Sequence, residues 1–79
     1  LPHDRPPPIR EGLAVIRALE KGGFEVVRSA GSHRRLVHKE DPSRATTVPL
    51  HKGRDLPRPM LRAIIKQAGL TVEEFLDLL

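Results

Sequence analysis

FEVVRSAGSHRRLVHKEDPSRATTVPL, residues 24–50, carries the pattern from which the rest of the chain is placed. Residues 24–30 (FEVVRSA) are rich in aromatic and β-branched types and read as a strand. Gly31-Ser32 is a natural bend. HRRLVHK, residues 33–39, alternates with period two and reads as a second strand. Glu40-Asp41-Pro42-Ser43 has turn chemistry, and ATTVPL, residues 45–50, reads as a third strand. Pro49 cannot donate to a ladder, so it predicts an edge strand, or a partner lying on the other side at that point. Three short strands with hairpin-length links predict an antiparallel sheet.

The flanks are helical. Ile9, Leu13, Ile16 and Leu19 are spaced by four, three and three and predict a helix that Gly22-Gly23 stops. His51 to Pro59 reads as a basic loop. Leu61, Ile64, Ile65 and Ala68 form a second apolar stripe, ended by Gly69. Thr71 and Glu74 have the spacing of a capping box and open a last short helix carrying Phe75, Leu78 and Leu79. Leu1 to Pro8 holds four prolines and reads as a flexible tail before one domain over residues 9–79. The predicted class is α+β, in the order α-β-β-β-α-α. Helices from both ends of the chain cover one face of the sheet and leave the other open. That topology resembles the double-stranded-RNA-binding fold, which by itself assigns no function.

Alternation sorts the side chains. Leu36, Phe24, Val26, Val48 and Leu50 are expected in the core. His33, Arg35, Val37, Lys39 and Thr47 are expected on the open face.

Charge narrows the partners. The chain of 79 residues has a net charge of +4, and nine cations against three acids fall between Arg28 and Arg62. The end from Thr71 onward carries three acids and no cation. A basic middle suits a polyanion. With no Trp or Tyr, base stacking on aromatic platforms is not the main mode of contact. There is no cysteine, hence no disulfide framework and no thiolate metal site. No apolar run approaches the roughly 18 residues of a membrane span, and no segment is laid out as a signal peptide, so a cytoplasmic protein is expected.

Among the histidines, His3 lies in the tail, and His38 shares the parity of Leu36 and reads as structural. His33, His38 and His51 match no standard zinc spacing. His33 stands beside Arg35 on the open face, directly after the bend. An imidazole exchanges a proton near neutral pH. With a nearby cation it can take the 2′-OH proton of RNA while the extra phosphate charge is stabilised, and no metal is needed. The plain alternative, favoured on the residues alone, is a surface imidazole hydrogen-bonded to the turn. His51 is either a second imidazole, a phosphate contact or a loop residue.

Four ordered motifs add to this: IRALEKGGF (16–24), GGFEVVRSAGSHRRL (22–36), TVPLHKGRDL (47–56) and LRAIIKQAGLTVEEFLDLL (61–79). Together they resemble the HicA toxin family, the small ribonuclease partners of HicB antitoxins, over about residues 9–79. The resemblance implies an mRNA-cleaving toxin of double-stranded-RNA-binding-like fold whose catalytic histidine falls on His33. It places RNA contact at Val48, Pro49, His51, Lys52 and Gly53. It also implies an antitoxin that covers the active face and reaches DNA on the toxin's behalf. In that reading Arg28, Arg35 and Lys52 position or neutralise the phosphate, Gly31 makes the bend, and Ser32 bonds a phosphate or orients the imidazole. No metal or cofactor is implied. The proline-rich tail and the turn KEDPSR depart from the family pattern. The alternative is a non-catalytic module that binds double-stranded RNA or other nucleic acid.

Overall fold

The computed structural model describes residues 11–51 and 54–79. The predicted tail and Ile9 lie outside them, as do Lys52 and Gly53. The elements are α1 (Gly12–Lys21), β1 (Phe24–Ala30), β2 (His33–His38), β3 (Ala45–Pro49), α2 (Arg58–Gln67) and α3 (Val72–Asp77). The α+β class and the antiparallel sheet are as the sequence predicts, with strand order β1-β2-β3. β3 is therefore an edge strand. His33 lies opposite Pro49, and the Leu50 amide donates to the Ser32 carbonyl at 2.6 Å. That makes His33–Pro49 a non-hydrogen-bonded pair, in which the ladder asks proline for no donor.

The core lies between the sheet and the helices. Leu36 and Val48 are fully buried, and Phe24, Val15, Leu19, Ile64, Ala68 and Phe75 close around them. Two expected core residues are not there. Leu13 is 40% exposed. Each step of three falls about 60° short of a full helical turn, so two such steps put Leu13 about 120° round the helix from Leu19. The stripe that α1 buries is Val15, Ile16, Ala18 and Leu19. Val26 lies opposite Leu36, but β1 is the other edge of the sheet and leaves it 37% exposed.

α2 starts one residue before Pro59, so the loop expected to reach Pro59 ends sooner. Proline fits a first helical turn because those amides have no intrahelical acceptor anyway. α1 begins hard against the sheet: a Cβ on Gly12 would stand 2.6 Å from the Pro49 carbonyl oxygen, so only glycine allows this approach.

The capping box forms as predicted. The Glu74 amide donates to Thr71 Oγ1 at 3.0 Å, and the Thr71 amide donates to Glu74 Oε1 at 2.8 Å. Thr71→Ala is expected to lower unfolding free energy by about 1 kcal/mol in urea titration. The bond from the Thr71 amide also holds the Glu74 carboxyl below its ordinary 4.5. Its contribution to stability is therefore complete above about that pH and is lost as pH falls through the lower folded value. Alanine keeps that amide, so the Thr71→Ala variant should lose this part of its stability in acid as the wild type does.

Candidate functional site

The β1–β2 connection is a two-residue loop between Ala30 and His33, which pair across the ladder. Gly31 takes φ +56° with open space where a Cβ would stand. Glycine thus occupies the first central position, where a type II′ hairpin turn needs it. A substitution here meets strain and no clash. Gly31→Ala is expected to cost about 1–2 kcal/mol in urea unfolding.

The loop is braced by a residue that the sequence pattern assigns elsewhere. Arg34 has core parity, yet its Nη1 donates to the Gly31 carbonyl at 2.7 Å and to the His33 carbonyl at 3.2 Å. Nothing in the sequence distinguishes this role from that of any arginine near a strand end. It changes the reading of His33. The turn's carbonyls are bonded by Arg34, while the His33 ring is exposed and makes no hydrogen bond to another described residue. The alternative of an imidazole tied to its turn does not hold in this structure.

His33 opens β2. Arg35 follows two residues on, about 7 Å along the same face. The Arg35 Nη1 donates to Thr47 Oγ1 on β3 at 3.2 Å, which steadies the guanidinium along the open face. Arg28 reaches that face by an irregularity. Strict alternation would put it beside Phe24 and Val26. The register instead runs Val26–Leu36 and then Arg28–Arg35, leaving Val27 as an extra residue. Such a bulge inverts the facing of everything beyond it. Arg28 consequently lies directly across from Arg35, and both are exposed.

Like charges facing each other across strands are destabilising. A pair of arginines left in this position is poised for an anion between them, and a phosphate fits guanidinium geometry. Ser32 is half-buried, with its carbonyl bonded by Leu50. His51, exposed, follows one residue after Leu50 and so lies at the same end of the sheet. Arg28, His33 and Arg35 thus share one face of the sheet, and Gly31, Ser32 and His51 lie at the end of the sheet where His33 stands. Lys52 and Gly53 fall outside the described residues.

His38 is structural, as expected. Its Nδ1 accepts from the Glu40 amide at 3.1 Å, and its ring meets Phe24 edge-on with centroids 5.0 Å apart. Among the described residues no three metal-binding side chains come together, and no helix is long and apolar enough to cross a membrane.

A family model described as the HicA toxin of bacterial toxin-antitoxin matches residues 14–70. The matched span runs from the first turn of α1 through the sheet to the end of α2, and it includes the Gly31–His33 turn and both arginines of the open face. No curated protein matches the chain.

Proposed function

The chain belongs to the HicA toxin family, and from that premise we propose that it is a metal-independent endoribonuclease that cleaves mRNA through His33. The family gives it the toxin role and an antitoxin partner. The observation that carries the finer reading is the Arg28–Arg35 pair facing outward beside an exposed imidazole that no described residue hydrogen-bonds.

The chemistry follows from those groups. His33 takes the proton of a ribose 2′-OH, and the oxygen attacks the adjacent phosphorus. The bond from phosphorus to the 5′ oxygen breaks, leaving a 2′,3′-cyclic phosphate and a 5′-hydroxyl end that picks up a proton. Arg28 and Arg35 hold the phosphate and stabilise the charge that develops on it. His51 and Lys52 extend the contact along the RNA, Gly31 shapes the turn, and Ser32 supplies polar groups at its end. The base and the cations are all side chains, so the step needs no metal. A HicB-type antitoxin silences the protein by covering this face, and it is through the antitoxin that the pair meets DNA. The reaction takes place in the cytoplasm, where mRNA is found.

The test is cleavage of a labelled RNA in the presence of chelator, comparing the wild type with His33→Ala at matched circular dichroism. Wild-type cleavage that the variant loses supports the reading. If both proteins bind RNA with strong salt dependence and neither cleaves it, the chain is a binding module.

A further inference from the structure

Cations outside the site described above are not scattered. α2 reads RPMLRAIIKQ, and Arg58, Arg62 and Lys66 recur at every fourth residue. That spacing places them in one stripe, in steps of about 6 Å along the helix. All three are exposed, and no hydrogen bond or ion pair joins them to another described residue. The buried side of the same helix is Ile64 and Ile65, centred about 110° round from Arg62, so the stripe runs along the exposed flank of that side. α2 carries no acidic residue. Lys66, in the last turn, suits the negative end of the helix dipole; Arg58, in the first turn, opposes the positive end. The helix's own stability therefore does not account for the stripe.

Its place in the fold does. Gly12 abuts the Pro49 carbonyl, and Pro49 lies across from His33. Glu11, the residue before Gly12, bridges to Asp55, and Arg58 is only three residues further along the chain. α2 thus starts at the end of the sheet that carries His33. Its other end lies at the start of β3, where Gln67 Oε1 accepts from Thr46 Oγ1 at 2.7 Å and the Ala68 carbonyl accepts from Arg44 Nε at 2.7 Å. The stripe leads away from the site.

We propose that Arg58, Arg62 and Lys66 form a second contact for the phosphate backbone of RNA, extending the footprint of the substrate from the sheet end that carries His33 onto α2. This rests on the RNA-cleaving reading above and deepens it. The substrate is then an RNA long or folded enough to turn the edge of the sheet. Contact through regularly spaced cations, with no aromatic platform, makes recognition there independent of base identity.

Binding to a long labelled RNA is measured by anisotropy over a range of salt, with His33→Ala as parent so that the RNA stays whole. The comparison is the same protein carrying Arg58→Gln, Arg62→Gln and Lys66→Gln. The slope of log affinity against log salt should fall in magnitude by about two, and affinity near 0.1 M salt by about tenfold or more. Arg58→Lys with Arg62→Lys keeps the charge and should keep the slope. If the triple variant does not fold, Arg62→Gln alone should lower the slope by just under about one. An unchanged slope in a folded triple variant overturns the proposal and leaves an acidic protein as the partner of the stripe. A parent that binds no RNA overturns this proposal and the reading it rests on together.

Discussion

His33→Ala is expected to lower RNA cleavage by at least about a hundredfold while leaving the fold and the affinity for RNA almost unchanged. The size follows from the role: a positioned acid or base is worth about two to four powers of ten. The selectivity follows from the setting. The ring is exposed, buries against nothing in the core and makes no hydrogen bond to a described residue. Exposed substitutions of that kind change stability by about 0.5 kcal/mol or less. The backbone at His33 remains paired with Ala30 and Pro49, and the turn remains clipped by Arg34, since neither depends on the imidazole. Phosphate binding rests on Arg28 and Arg35, which the variant keeps. The loss should therefore appear in kcat far more than in KM, with an unaltered circular dichroism spectrum. A folded His33→Ala protein that cleaves at the wild-type rate removes His33 from the chemistry and sends the search to His51.

What the sequence shows and what it hides divide along the range of the interaction concerned. The strands, the Gly31-Ser32 turn and the Thr71–Glu74 box are legible because each signal is local: alternation over six residues, a glycine at a bend, a hydroxyl three residues before a carboxylate. The face that carries His33 and Arg35 is legible for the same reason. The bulge at Val27 is not, because nothing in FEVVRSA marks which residue goes unpaired, and so the sequence supplies Arg28 as a candidate without explaining how it reaches Arg35. Arg34 is hidden in the same way, since its side chain runs back along the strand to the turn, against its parity. Val26 fails for a tertiary reason, since it lies on an edge strand that its neighbours leave partly uncovered, whereas Leu13 fails because two steps of three carry it about 120° round α1 from Leu19. The charged stripe of α2 was in plain sight as a count of basic residues. Only the fold shows that it begins beside the site.

Phe24→Ala is expected to cost about 3–5 kcal/mol, a large part of what holds a domain of this size together. Phe24 begins β1 and is 1% exposed. Two polar side chains depend on its ring. His38 meets it edge-on, and the Arg44 guanidinium sits over it at 5.4 Å from the centroid. Each contact contributes on the order of 1 kcal/mol beyond the burial of the ring. Arg44 also donates through Nε to the Ala68 carbonyl at the end of α2. Phe24 thus joins the start of β1, the β2–β3 turn and the second helix, and its loss loosens all three at once. The surroundings cannot readily close the gap on the side of Arg44 and His38, because a guanidinium and an imidazole are costly to drive into an apolar space. Phe24→Leu, which keeps most of the apolar volume and loses the ring contacts, should fall well short of that cost. In urea titration the alanine variant should unfold at a markedly lower midpoint, and cleavage should fall only to the extent that the folded population falls. That behaviour sets it apart from His33→Ala, in which activity disappears from a protein that is still folded. A Phe24→Ala protein as stable as the wild type would mean that Arg44 and His38 hold the sheet to α2 without the ring between them.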